Sequence, residues 1–385
     1  MVDYLSEDLV IKILLRLPIL CFIRFRCVCK SWSVLLCDPK FIYKKLLFDG
    51  EEDDRYSQQP VLVKRYDQKT RNFVFSFFSG SGKMSAIEEI TYPKDIMRES
   101  TTDLPSLLIV GPCCNGLICL RDFFNLRSEY HYSDCNMILW NPLTSDYKII
   151  PESDAWLRPE SCDYISLDIV EFGIDRRSRD GKIFKYFTVD YPDHRERVVE
   201  IYSMNNDSWT KLDDDVVSVV DIWDRSGKCH ITGANGEFHW WDTDLDNNSR
   251  NQIVSFDLSD EIFKTAPIPD ALSMVYYKYH FVFTINDYVA ALLSPNIAHF
   301  IEGMDMWVMF EYGVVQSWSK LFTVSFSSCV ERPLGLLKNG EVFIATGCGE
   351  LLLWNPSTEA ISDILIDGVY DSVQIVTFNG AVNQV

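Results

Sequence analysis

The chain has 385 residues, of which 47% are hydrophobic and 14% aromatic. That composition supports a substantial core, excludes wholesale disorder and allows one small and one large domain. No apolar run approaches the roughly eighteen residues of a membrane span, and the N-terminus does not resemble a signal peptide. We therefore expect a soluble protein of the cytoplasm, with the nucleus as a further compartment, and no membrane partner.

Charge is divided unevenly along the chain. Lys and Arg number 36 and Asp and Glu 56, for a net charge of −20. Residues 1–48 hold eight basic and four acidic residues, a net of +4, which leaves 28 basic and 52 acidic residues, a net of −24, in the remainder. A basic head suits an acidic partner, and an acidic body attracts a basic protein and disfavours nucleic acid. The simpler alternative is that the acidity only keeps the protein soluble.

The first 48 residues predict three short helices. Apolar residues recur at helical spacing in the first of them: Leu9, Val10, Ile13, Leu14 and Leu17. Ser6 stands at its N-cap position and Pro18 ends it. A short second helix runs through Phe25, and a third starts at about Cys27. So few residues bury little surface alone, so the helices either cap the rest of the chain or offer an apolar face to a partner protein.

From Val61 onward, short β-type runs alternate with turn residues. Asn-Gly pairs at 115, 235 and 339 predict tight turns between antiparallel strands. A second unit also repeats, in which a bulky residue recurs seven positions after a bulky aromatic one: Trp140 and Tyr147, Tyr202 and Trp209, Phe256 and Phe263, Trp354 and Ile361. This spacing predicts two antiparallel strands that join through a short polar turn and pack on one face.

The copies begin near 140, 202, 256, 308 and 354, and a spacing of roughly 45 to 60 residues is typical of propeller blades. We predict an all-β, kelch-type propeller of about six blades, with a degenerate blade at 61–92 and a last strand at 372–378 that closes the ring. Two curved sheets that do not close are the alternative. The predicted domains are a small all-α head at 1–48, a hinge at 49–60 and the β-body at 61–385.

The head resembles an F-box, the module that docks a substrate receptor on the Skp-type adaptor of a cullin–RING ubiquitin ligase. The matching residues are Leu5, Asp8, Leu9, Ile13, Leu17-Pro18, Arg24-Phe25 and Val28-Cys29-Lys30-Ser31-Trp32. The chain departs from the pattern at Ser6, where Pro is usual, and at Leu20-Cys21, where Lys-Ser is commoner. The resemblance implies these adaptor contacts: Leu5, Leu9, Ile13, Leu17, Pro18, Leu20, Val28, Cys29 and Trp32.

The body is similar to the F-box-associated domain of plant F-box proteins, above all the pollen S-locus F-box proteins. The segments that carry the resemblance include CNGLICL at 114–120, LWNPLTSDYKIIP at 139–151 and MWVMFEYGVVQSWSKLFTV at 306–324. It implies a substrate receptor in the pollen tube that captures non-self S-RNases, which are basic ribonucleases, for ubiquitination in self-incompatibility. One alternative is an F-box receptor for another target, in defence or signalling. Another is a propeller enzyme or sugar-binding module that the head merely caps.

The sequence shows no catalytic set with useful spacing. The six histidines are scattered, and the chain has neither a G-x-S-x-G motif nor Cys and His at metal-site spacing. We therefore expect no catalytic residue, metal or cofactor, and we expect the twelve cysteines to be mostly small buried thiols. Propeller loops should carry recognition. Two acidic runs are the candidate substrate contacts, with solvated polar turns as the alternative: Asp213, Asp214, Asp215, Asp242, Asp244 and Asp246.

Overall fold

The computed structural model describes two helices of the head and most of the β-body. The described residues are 7–16, 25, 28–38, 41, 60–79, 85–90, 92, 106–123, 136–153, 162–217, 236–243, 251–273, 277–285, 288–295, 303–325, 330–337, 340–356, 358–369 and 372–378. The predicted hinge at 49–60 lies outside them, except for its last residue. The division into domains stays a prediction.

The helices of the head are α1 (Glu7–Arg16) and α2 (Lys30–Cys37). The sequence placed the start of the second of these near Cys27, but Cys29 is extended, with φ −160° and ψ 165°, and the helix begins after it. Phe25 is helical, whereas most of the predicted middle helix lies outside the described residues. Two one-turn helices, α3 (Asp214–Val217) and α4 (Asp270–Ser273), and a 3-10 turn (Val315–Ser317) lie in the body.

The described part of the body is built from short strands. In chain order they are β1 (Val61–Asp67), β2 (Asn72–Ser79), β3 (Ser85–Ile90), β4 (Ser106–Cys114), β5 (Leu117–Phe123), β6 (Met137–Trp140), β7 (Tyr147–Ile149), β8 (Tyr164–Ile174), β9 (Gly181–Asp190), β10 (Arg195–Ser203), β11 (Ser208–Lys211), β12 (Glu237–Thr243), β13 (Asn251–Asp257), β14 (Ile262–Pro267), β15 (Tyr277–Ile285), β16 (Tyr288–Pro295), β17 (Gly303–Met309), β18 (Trp318–Ser325), β19 (Val330–Leu336), β20 (Val342–Thr346), β21 (Glu350–Asn355), β22 (Ala360–Asp367) and β23 (Gln374–Thr377).

These strands form six antiparallel sheets, which are the blades of a propeller. Blade 1 has the order β23-β1-β2-β3, blade 2 is β4–β7, blade 3 is β8–β11, blade 4 is β12–β14 in its described part, blade 5 is β15–β18 and blade 6 is β19–β22. The last strand pairs with the first, Val61 opposite Thr377 and Lys64 opposite Gln374. The prediction of a closed, six-bladed ring with a blade near 61–92 is confirmed, and the alternative of two open sheets is wrong.

The repeated unit of the sequence is the hairpin between two neighbouring strands of a blade. Each predicted pair, such as Trp140 and Tyr147 or Phe256 and Phe263, lies directly opposite across two strands. Asn141 begins one such turn, and its side-chain oxygen accepts hydrogen bonds from the backbone N–H groups of the second and third residues after it, at 3.0 and 3.3 Å. Ser145, two residues before Tyr147, has a φ of +64°. This geometry explains why Asn or Asp recurs at the start of the unit.

The blades have two faces, which we name by their connections. The β8–β9 and β13–β14 turns lie on one side, since Ser259 Oγ of the second turn donates a 2.6 Å hydrogen bond to Asp175 Oδ1 of the first. We call this side the turn face. Because strands alternate in direction, β9, β11 and β12 all end on the opposite side, which we call the loop face.

Candidate protein-interaction surfaces

Helix α1 divides its apolar residues between two sides. Leu14 and Leu15 are buried, at 0% and 4% exposure, in a hydrophobic cluster that also contains Met306 of blade 5 and Ile344 of blade 6. Leu9 is 44% exposed and Ile13, four residues further on, is 43% exposed. Residues four apart lie on the same side of a helix, so Leu9 and Ile13 form an outward apolar pair while the other side of α1 packs on the propeller.

Helix α2 repeats this division. Leu36 is fully buried in the same cluster as Leu14, whereas Val34 is 72% exposed. Two positions along an α-helix correspond to about 200°, so Val34 lies on the side opposite to Leu36. Val34 was not among the predicted partner contacts, although its helical position relative to Leu36 is visible in the sequence.

The segment that precedes α2 is also exposed. Val28 is 58% exposed, and Cys29 is exposed with its Sγ 3.1 Å from Ser31 Oγ. The hydrogen bond from the Ser31 side chain lowers the pKa of the Cys29 thiol. Trp32 is half-buried and packs edge to face on Phe25, with ring centroids 5.8 Å apart.

The candidate adaptor contacts therefore fall into three groups. Leu9, Ile13, Val28 and Cys29 are exposed, and Trp32 supports them from a half-buried position. The remaining ones lie outside the described residues: Leu5, Leu17, Pro18 and Leu20. Exposed Leu, Ile and Val side chains contribute to binding through their burial against another apolar surface.

The first acidic run lies at the end of blade 3. Asp213, Asp214 and Asp215 are exposed and follow β11, so they emerge on the loop face. Asp214 and Asp215 form the first turn of α3. Lys211 Nζ lies 3.3 Å from Asp214 Oδ1, a contact between two exposed side chains that contributes little to stability.

The second acidic run begins inside a strand, whereas the sequence suggested an exposed loop. Strand β12 extends to Thr243, and Asp242 within it is 3% exposed and accepts a 2.9 Å hydrogen bond from Gln252 Nε2. Asp242 shares its strand face with Phe238 and Trp240, which are buried between blades 3 and 4. Its carboxylate is therefore not presented to a partner. Asp244 and Asp246 lie outside the described residues.

The described residues contain no group of three or more His, Cys, Asp or Glu arranged to hold a metal ion. Within the same residues, no helix has the length and apolarity needed to cross a bilayer. Four of the described cysteines are buried thiols, as the sequence predicted: Cys113, Cys114, Cys119 and Cys162. Cys29 and Cys348 are exposed, contrary to that prediction.

Comparison with known proteins agrees with this architecture. The F-box domain family matches residues 3–44, and the F-box associated beta propeller domain family matches residues 93–382. The F-box protein At3g07870 of Arabidopsis thaliana is 24% identical over 99% of this chain and 92% of its own length. The F-box/kelch-repeat protein At3g23880 of the same plant is 26% identical over 92% of this chain and 88% of its own length.

Among solved structures, the Dos1 propeller is similar over 80% of this chain and 74% of its own, at 8% identity and a TM-score of 0.35. An F-box domain implies a Skp-type adaptor as partner, and its combination with a propeller suggests the substrate-recognition subunit of an SCF ligase. The chain therefore belongs to the F-box proteins that carry an F-box-associated β-propeller domain.

Proposed function

We propose that this chain is the substrate-recognition subunit of an SCF ubiquitin ligase of the pollen S-locus type. In this role the head binds a Skp-type adaptor, and through it the cullin and RING subunits, while the propeller captures basic S-RNases for ubiquitination. The observation that carries the ligase part is the outward pair Leu9 and Ile13 on a helix whose other side is packed on the propeller.

The outward side chains account for adaptor binding. Leu9, Ile13 and Val28 are each between 43% and 58% exposed, and complete burial of such a side chain contributes up to about 1.5–3 kcal/mol. Leu5, Leu17, Pro18 and Leu20 extend the proposed contact, with Cys29 and Trp32 at its edge. The head has a net charge of +4, which suits an acidic adaptor.

The packing of the head supports a role in positioning. Leu14, Leu15 and Leu36 join α1 and α2 to blades 5 and 6 in one buried cluster. A target bound to the propeller is thereby held near the adaptor. The lysines of the target then have a high effective concentration at the ubiquitin-charged enzyme, which favours ubiquitin transfer. This role needs no catalytic residue and no cofactor in the chain itself.

The acidic loop face supports a basic target. Asp213, Asp214 and Asp215 are exposed there, on a body with a net charge of −24. Such a body accelerates its encounter with a basic protein and repels nucleic acid. The resemblance of the body segments to S-locus proteins is the basis for the S-RNase as target, the pollen tube as location and self-incompatibility as the process. Cytoplasmic location, with the nucleus as a further compartment, is part of the same proposal.

A receptor for a different target is the second candidate. Both relatives from Arabidopsis thaliana, at 24% and 26% identity, are named for their domains and not for an S-locus. Affinity purification from pollen and from other tissues separates the two candidates. Recovery of a pistil ribonuclease supports the first, and recovery of another target without any ribonuclease supports the second.

Adaptor binding is tested at the two exposed apolar residues of α1. Leu9→Asp and Ile13→Asp should abolish co-purification with a Skp-type adaptor, because a carboxylate replaces an apolar contact. Leu143→Asp is the matched control, since Leu143 is 53% exposed on the β6–β7 turn of the propeller and should leave the adaptor bound. Near-ultraviolet circular dichroism checks that every variant keeps its fold. Adaptor retained by both head variants would refute the assignment.

Target recognition is tested by neutralising charge on one face at a time. The triple change of Asp213, Asp214 and Asp215 to Asn should slow association with a basic ribonuclease and weaken the dependence of that rate on salt. The control triple, Asp146→Asn, Glu311→Gln and Glu359→Gln, alters exposed carboxylates of the same total charge elsewhere on the propeller. Equal rates for both triples would contradict a role for the first acidic run.

A further inference from the structure

The turn between β8 and β9 carries three arginines on an otherwise acidic body. Residues 176–179 read Arg-Arg-Ser-Arg, and all four are exposed on the turn face. We call them the basic turn. The body as a whole has a net charge of −24, so an arginine cluster at a turn tip stands out against its surroundings.

The backbone of the basic turn is fixed by Asp175. Its Oδ1 accepts hydrogen bonds from the backbone N–H groups of Arg177, at 2.9 Å, and Ser178, at 3.4 Å, and its Oδ2 lies 3.2 Å from Lys182 Nζ. Burial pushes the pKa of Asp175 upward, but these bonds and that from Ser259 outweigh it and hold the pKa well below its usual range. The charged carboxylate therefore keeps the turn in one conformation, which reduces the entropy lost on binding.

Two of the arginines form no ion pair with the carboxylates that the structure describes. Arg177 Nη1 lies 2.6 Å from Asp260 Oδ1. Within the described residues, Arg176 and Arg179 have no carboxylate within ion-pair distance, and the nearby Glu261 is bound by Lys182 at 2.9 Å. Two guanidinium groups are thus presented to solvent on a fixed turn.

Blade 5 packs an aromatic side chain on blade 4, whose Ser259 bonds Asp175 at the base of the basic turn. Tyr312 of blade 5 is 38% exposed and has its ring centroid 6.0 Å from that of His239 in blade 4. Its hydroxyl forms a 2.7 Å hydrogen bond with Ser255 Oγ, which fixes the ring. Arg176 approaches the same histidine from blade 3 closely enough for its charge to disfavour the protonated imidazole and lower the pKa of His239, after burial and Lys264. Arginine and tyrosine are the residue types most enriched where binding energy concentrates in protein interfaces.

We infer that the basic turn and Tyr312 form a second protein-binding surface, on the turn face, which receives an acidic peptide segment of a partner, rich in Asp and Glu, since Arg177 of the same turn already pairs with a carboxylate. The planar guanidinium groups of Arg176 and Arg179 match carboxylate and phosphate oxygens in two-point hydrogen bonds. Nucleic acid fits this surface poorly, because Asp260 and Glu261 border it and the body is strongly acidic. The surface does not depend on the adaptor-binding role of the head.

Fluorescence anisotropy with labelled peptides tests the inference on the full chain. The probes are a hexaglutamate peptide, a phosphoserine peptide of equal length, a hexaglutamine peptide and a short single-stranded oligonucleotide. The double variant Arg176→Gln, Arg179→Gln should bind the better anionic probe at least tenfold more weakly than the unchanged chain. Arg71→Gln is the matched control, because Arg71 is an exposed arginine on the β1–β2 turn with φ +52°, close to the +60° of Arg179.

The outcomes separate the sources of the anion. Tighter binding of hexaglutamate supports the acidic segment, and tighter binding of the phosphoserine peptide would overturn it in favour of a phosphorylated segment. Unchanged affinity in the double variant, an equal loss in Arg71→Gln, or binding to hexaglutamine alone would overturn the inference. An Arg176- and Arg179-dependent preference for a single-stranded oligonucleotide over both peptides would also overturn it. Adaptor co-purification of the double variant should be unchanged, so this result is independent of the proposed ligase role.

Discussion

Buried His239 makes the stability of the propeller depend on pH in a way that can be calculated. The side chain is 3% exposed, and its Nδ1 has no hydrogen-bond partner in the described residues. The groups that face it are Lys264, Arg176, Glu237 at 3.9 Å and Tyr312. Burial, with the positive charges of Lys264 and Arg176, lowers the pKa of His239 from 6.5 to about 4. The imidazole is therefore neutral in the folded protein at neutral pH.

The sign of the effect follows from proton binding. Between pH 6.5 and 4 the unfolded chain binds a proton at this histidine and the folded chain does not, so the free energy of unfolding falls as the pH falls. A difference of about 2.5 pKa units corresponds to about 3 kcal/mol in total. Most of that loss should occur between pH 6.5 and 4.5, and the contribution is fully present above pH 6.5.

Urea unfolding from pH 7.5 to 4.5, followed by tryptophan fluorescence, measures this contribution. His239→Gln removes the titrating group, so the stability difference between the unchanged chain and the variant should shift by about 2–3 kcal/mol over this range. His194→Gln is the control. Hydrogen bonds to Asp193 and Glu196 raise the pKa of the exposed His194. Any contribution of His194 to the free energy of unfolding therefore decreases as the pH rises, which is the opposite of the effect of His239. Parallel curves for His239→Gln and the unchanged chain would refute the assignment of a neutral, buried histidine.

Three further predictions concern packing and ring closure. Leu14→Ala, at a fully buried position between the head and the blades, should lower the free energy of unfolding by about 2–5 kcal/mol in urea titrations. Gln374→Ala should lower the free energy of unfolding by about 1–3 kcal/mol, because the Gln374 side chain forms hydrogen bonds with the backbone N–H and C=O of Ile109, at 2.8 and 3.1 Å, between blades 1 and 2. The rate of amide hydrogen exchange should rise first in β1 and β4. Gly111→Ala should lower the thermal midpoint far more than Gly313→Ala. Both have φ above +70°, but only at Gly111 would a Cβ lie 2.4 Å from the β8 backbone, so a comparable loss at both positions would contradict a steric cause.

The repeated unit was predictable because it follows from local chemistry, and its period in turn suggested a propeller whose last strand closes the ring. Trp354 and Ile361 are seven residues apart, and a turn of fixed length places them opposite each other across β21 and β22. The turn needs Asn or Asp at its start and tolerates a positive φ near its end, which Glu359 adopts at +56°. Both requirements are met within a few adjacent residues. Asn141, Asp257 and Asn355 open the turn in three copies, and Ser203 takes that place in blade 3, where its Oγ accepts a hydrogen bond from the Asn206 N–H.

Features that depend on distant residues were not predictable in this way. We expected Asp242 in a loop from the sequence. It lies in β12 instead, because it pairs with Gln252 of the neighbouring strand β13 and accepts a hydrogen bond from that side chain. Lys64 is another case, since it is 1% exposed and bonds Gln374, a residue 310 positions away. No local sequence pattern predicts that a lysine is buried when its partner lies at the other end of the chain.

The sides of the head helices were only half predictable for the same reason. Helical spacing identifies the apolar residues of α1 but not which of them meet the propeller. Leu14 and Leu15 are covered by blades 5 and 6, and Leu9 and Ile13 are not. The sequence therefore left two explanations open, a cap on the body and a face for a partner. The structure shows that α1 packs on the body with one side and remains exposed on the other.

The placement of the charged elements on blade 3 bears on how the two proposed surfaces relate. Asp213 follows the end of β11, and the basic turn joins β8 to β9, so the two lie at opposite ends of the same sheet. Antiparallel strands of one blade form a rigid layer, and neither element has to move for the other to be reached. A basic target on the loop face and an anionic segment on the turn face can therefore be bound at the same time. In a competition experiment, a saturating anionic peptide should leave the association rate of a basic ribonuclease unchanged, whereas mutual exclusion would show that the two surfaces are not separate.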